Sequence, residues 1–186
     1  MTEFQVNTAV IGNQSNSTVA IDKNGNFVIC WTSFDQNGVG GIYAQRYNND
    51  GVRQGNEFKV NTITTGDQSI PTVAMDANGN FIISWTNFDE NTSSTGIYAK
   101  RYNNDGVPQG SEFKVNTDIN SILNPTVAIA MNANGTFAIS WSKFDLDGSD
   151  DVPPLELPMA LLLLKIPFPS PAKMGLRAAT TATQVF

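Results

Sequence analysis

PTVAMDANGNFIISW, residues Pro71–Trp85, reads as two short apolar strands, Thr72–Asp76 and Asn80–Trp85, joined by a tight Asn78-Gly79 turn. The same stretch occurs earlier as STVAIDKNGNFVICW (Ser17–Trp31) and later as NPTVAIAMNANGTFAISW (Asn124–Trp141). Working outward, EFQVNT at Glu3 returns as EFKVNT at Glu57 and again at Glu112, 54 and 55 residues apart. GIYAQRYNNDGVRQG (Gly41–Gly55) returns as GIYAKRYNNDGVPQG (Gly96–Gly110). Whole strands recur, so the organising unit is a structural repeat of about 55 residues.

Each unit holds four strand candidates. The first two are apolar on both faces. The third, Ile97–Tyr102, alternates, and so does the fourth, Glu112–Asn116, with Phe113 and Val115 on one side. Two doubly covered strands followed by two that meet water describe a four-stranded antiparallel meander of the propeller-blade type. The fold class expected is therefore all-β: a tandem of such blades, amounting to about two and three-quarter blades. Units fall at about 3–56, 57–111 and 112–151, the last partial, and Glu3–Thr8 is expected to be a fourth-type strand. This register suggests a fragment of a longer array, or copies that complete one another. After Asp151 the pattern stops. Residues 152–186 are rich in Pro and Leu, and are expected to be a weakly structured or frameshift-derived tail.

Composition narrows the function. A net charge of −6 and a pI near 4.5 oppose binding to nucleic acid or to an anionic membrane, both of which require a basic face. The chain of 186 residues has no histidine, which removes the commonest general base and metal ligand. Its one cysteine, Cys30, stands where the other copies have Ser84 and Ser140, and reads as a small buried residue. The apolar run Met159–Phe168 is shorter than the roughly 20 residues of a spanning helix, and no membrane insertion is expected.

The motif of Val73-Ala74, Asp76, Asn78-Gly79, Phe81, Ile83 and Trp85, followed by GIYAKRYNNDG and EFKVNT, resembles tandem repeats of large secreted or surface proteins of bacteria, cyanobacteria among them. Such repeats often sit beside RTX and Calx-beta modules. The resemblance covers Glu3 to about Asp151. It implies a propeller-like fold, an extracellular or cell-surface setting and an adhesive or scaffolding role, and it carries no catalytic residues.

Among candidate sites, Asp145, Asp147 and Asp150 alternate around Gly148 as carboxylates in a calcium loop do, although no downstream bidentate glutamate follows. The variable loops between second and third strands offer Asp35, Asn37, Asp89 and Asn91 as ligand contacts on a rigid scaffold. Capping their own turns is the plainer role for the aspartates. Trp31, Trp85 and Trp141 are in phase with core residues rather than placed as stacking platforms. No nucleophile is paired with a base at recognisable spacing. The expectation is a non-enzymatic structural or adhesive repeat module. The alternative is a propeller that binds a glycan or surface polymer, with or without calcium. Neighbouring repeats or further copies of the chain are the expected partners.

Overall fold

The computed structural model describes residues 3–8, 12–35, 38–89, 94–116 and 126–142, together with the strand backbones of 159–164 and 183–185. It contains three four-stranded antiparallel sheets. Blade 1 runs β1 (Gln14–Ile21), β2 (Phe27–Phe34), β3 (Gly40–Tyr47) and β4 (Phe58–Lys59). Blade 2 runs β5 (Asp67–Met75), β6 (Phe81–Asp89), β7 (Ser94–Tyr102) and β8 (Phe113–Lys114). Blade 3 runs β9 (Val127–Met131), β10 (Phe137–Ser142), β11 (Met159–Leu164) and β12 (Thr183–Val185). Within each sheet the strands are ordered as in the chain, as a propeller-type meander requires. No helix among the described residues is long and apolar enough to cross a membrane.

The first hairpin closes by one device in every blade. In blade 2, Asp76 Oδ1 accepts from the N–H groups of Asn78 and Asn80 at 2.8 and 2.9 Å. Asp22 holds Asn24 and Asn26 in the same way, and Asn132 holds Asn134 and Thr136. An acceptor side chain thus satisfies the backbone donors that the reversal leaves unpaired. The glycine before the strand restarts lies at φ +87°, +84° and +81° in blades 1, 2 and 3, a region costly for residues with a Cβ.

Alternate residues of the middle blade face opposite neighbours. Phe81, Ile83 and Trp85, all fully buried, meet Val28, Cys30, Ile42, Ala44 and Val60 of the blade 1 side. Ile82 points the other way, joining Ala74, Ile97, Ala99 and Val115 against Phe137, Ile139 and Trp141 of blade 3. Burial of one such Ile or Phe contributes about 1.5–3 kcal/mol, so the two inter-blade layers are the core.

Three details differ from the reading by pattern. The third strands do not meet water: Lys100 is 7% exposed, and its ammonium donates to the Val60 carbonyl at 3.0 Å across the blade interface. Alternation between polar and apolar types misled here because Gln45 and Lys100 are buried, each donating to a backbone carbonyl beyond its own strand, Gly55 and Val60 respectively. The fourth strands shrink to two residues, since the Ile42 and Ile97 N–H groups donate to the side chains of Asn61 and Asn116 instead of a ladder carbonyl. Glu3–Thr8, expected as a strand, joins no sheet among the described residues.

β11 and β12 lie in the tail, 152–186. β11 pairs along its length with β10, Trp141 opposite Ala160, and β12 adds to β11. The open edge of β10 offers unpaired backbone groups that MALLLL satisfies.

Candidate functional site

The turns that close the first and third strands of blades 1 and 2 lie at one end of the stack. Between them is a cleft of about 230 Å³, lined mostly by polar groups. Phe27 and Tyr47 are among its lining residues, and their rings stack on each other with centroids 4.9 Å apart. Around the rim stand Asn24 of the blade 1 hairpin, Asn78 of the blade 2 hairpin and Asn104 of the β7–β8 turn. All three are exposed, and their side-chain amides make no hydrogen bond among the described residues.

Other residues of the cleft are committed to the fold. Asp22 Oδ2 accepts from the Asn26 amide at 2.8 Å, while its Oδ1 closes the turn. Burial alone would raise the Asp22 pKa, but bonds from the Asn26 side chain and from three backbone N–H groups outweigh it, and the carboxyl sits below its ordinary range. Arg46 donates across the blade interface to the Asp105 carbonyl. Burial lowers its pKa and the Asp105 charge opposes that, so a charged guanidinium faces the cleft. Gly79 permits the close approach of the two blades here. A Cβ at that position would lie 3.3 Å from Asp22 Oδ2 and 3.2 Å from Asn104 Cβ.

The loops singled out by sequence lie at the opposite end. Asp35 Oδ1 accepts from the Val39 N–H at 3.0 Å, so this carboxylate holds its own loop. Asp89 ends β6, paired with Ser94. Asn37, Asn91, Asp145, Asp147 and Asp150 lie outside the described residues. Among the described residues no group of three or more acidic or cysteine side chains is placed to hold a metal. Asn24, Asn78 and Asn104 sit in turns, where asparagine is already accounted for by its turn chemistry. The available signal was that an Asn recurs just past the capping Asx in each of these turns.

No protein-family model matches the chain, and no curated protein does. Among solved structures it is similar to an endo-arabinase from Bacteroides thetaiotaomicron VPI-5482, with 19% identity and a TM-score of 0.45. It is also similar to a thermostable family-43 glycoside hydrolase, with 15% identity and a TM-score of 0.48. The alignments cover 82% and 89% of this chain but only 56% and 62% of those proteins. The likeness is one of fold, propeller-type and all-β. It corrects the expectation that the chain is not an enzyme: both solved structures are of enzymes, so this architecture gives no ground for excluding catalysis.

Proposed function

We propose that the chain is a propeller-type repeat scaffold that binds a neutral glycan in the cleft between blades 1 and 2. The observation carrying this reading is the set of three uncommitted amides, Asn24, Asn78 and Asn104, around the rim of one polar cleft. An amide both donates and accepts, which matches the paired capacity of sugar hydroxyls. The rigid hairpins on which they stand limit the entropy lost on binding. A net charge of −6 favours a neutral polymer over an anionic one. The extracellular or cell-surface setting implied by the repeat resemblance accords with this ligand class.

The test is glycan-array screening followed by titration calorimetry of the hits, with calcium and with chelator. Wild-type protein is expected to bind, and the variant Asn24→Ala/Asn78→Ala/Asn104→Ala to bind at least about tenfold more weakly with unchanged melting. Equal binding by the two proteins, or silence across the array, overturns the reading. Loss of binding in chelator would add a calcium ion to the glycan site.

A further inference from the structure

The two blade interfaces are built from matching residues. Between blades 1 and 2, Val28, Ile42 and Val60 meet Phe81 and Trp85. Between blades 2 and 3, Ile82, Ile97 and Val115 meet Phe137 and Trp141. Each residue of the second set stands one repeat after its counterpart in the first. Blade 3 therefore lies on blade 2 as blade 2 lies on blade 1, and corresponding hairpin ends come together at both interfaces.

The walls of the cleft between blades 1 and 2 repeat with the interface. Met75, at the end of β5, lines that cleft, and Met131 at the end of β9 takes its place beside the second interface. The Asn26 amide donates to Asp22 Oδ2 at 2.8 Å in blade 1, and the Asn80 amide to Asp76 Oδ2 at 2.8 Å in blade 2. Gln54 donates to the Val52 carbonyl at 3.2 Å, and Gln109 to the Val107 carbonyl at 3.1 Å. The side chains that blade 1 brings to the first cleft are thus held in the same way in blade 2.

The rim repeats as well. Asn24, Asn78 and Asn134 hold one position in the three first hairpins, each just before the glycine at positive φ. Their N–H groups donate to the capping side chains of Asp22, Asp76 and Asn132 at 2.7, 2.8 and 3.0 Å, which fixes the backbone. Their side-chain amides are exposed and make no hydrogen bond among the described residues. Each blade therefore contributes one uncommitted amide, and Asn134 stands to the second interface as Asn78 stands to the first.

We propose that the glycan is a linear polymer, held at two successive blade interfaces, with Asn134 as the contact of the second. This rests on the glycan reading of the first cleft. The second site is the weaker one. The first draws a further amide, Asn104, from the Asn103–Gly106 turn, and no Asn-Asn-Asp-Gly sequence follows β11. A ligand with a repeating unit suits a receptor with one, because seating one stretch presents the next to its neighbour at high effective concentration. A short saccharide gains nothing from the second site.

Titration calorimetry of the full chain tests this. The probes are dextran, galactan, mannan and xylan, with any other neutral glycan the array returns, each as the long polymer and as its trisaccharide. Counted per sugar residue, the polymer is expected to bind at least about tenfold more tightly than the trisaccharide. Asn134→Ala is expected to remove most of that advantage with unchanged melting. Asn104→Ala, which alters the first cleft alone, should weaken trisaccharide and polymer alike. Equal affinity for polymer and trisaccharide, or a polymer advantage that survives Asn134→Ala, overturns this inference and leaves the single-cleft reading standing. Silence toward all the probes overturns that reading, and this inference with it.

Discussion

At Cys30 the first blade carries a thiol where the second carries Ser84, and both side chains are fully buried. Ser84 Oγ donates to the Tyr98 carbonyl at 2.8 Å, and the residue matching Tyr98 in blade 1 is Tyr43. Cys30→Ser is therefore expected to change stability by less than about 1 kcal/mol in urea denaturation. Burial pushes the Cys30 pKa up, so thiol reagents should label it only when the chain unfolds, which stopped-flow labelling with and without denaturant reads directly. Asp22 gives a second residue-level outcome. Asp22→Ala removes the acceptor of two backbone donors and should cost about 1–2 kcal/mol. Asp22→Asn should cost less, since Asn132 performs the same closure in blade 3. The Asp22 pKa is depressed on folding, so the unfolded chain takes up the proton first as pH falls. Its stabilisation is full above the ordinary carboxylate range and is lost through about pH 4 and below. The wild-type advantage over Asp22→Asn in melting temperature should shrink across that interval.

At the scale of a strand, β1 and β5 each break register once, between Ser15 and Thr18 and between Ser69 and Thr72. Asn16 and Ile70 sit at these bulges with φ of 54° and 51°. Asparagine tolerates that region, but a β-branched residue is strained there by about 1–2 kcal/mol. Ile70 is 40% exposed, so little buried surface is at stake. Ile70→Asn is expected to stabilise the protein by about 0.5–1 kcal/mol in urea denaturation; a loss of stability would show that the Ile70 side chain matters more than its backbone. Such bulges are invisible to an apolar/polar pattern, because the pattern counts residues and not the ladder bonds they make. The hairpins, by contrast, were legible. Asn-Gly after an Asx acceptor specifies the turn locally, whatever the rest of the chain does.

For the molecule as a whole, near-identical repeats acquire different energies from their place in the stack. Trp85→Phe strands the Gln68 carbonyl in a buried layer and should cost about 1–3 kcal/mol. Trp31→Phe removes an indole that has no hydrogen-bond partner among the described residues and should cost markedly less. Equal losses by chemical denaturation would mean that the two faces are equivalent in solution. The candidate cleft also belongs to this scale. Its residues come from two blades, and sequence inspection pointed instead to the loops at the other end, where Asp35 is occupied in holding its own turn.

Sequence alone determined the repeat, the antiparallel hairpins and the inward placing of Phe81, Ile83 and Trp85. Each of these follows from contacts within about 20 residues and from side-chain periodicity. Only the tertiary structure decided which neighbour covers each face, that the third strands are buried, and that three turn asparagines meet at one cleft. Those outcomes depend on how one blade lies against the next, an arrangement held by contacts between residues about 50 apart, such as Thr62 and Glu112, which a local pattern does not record.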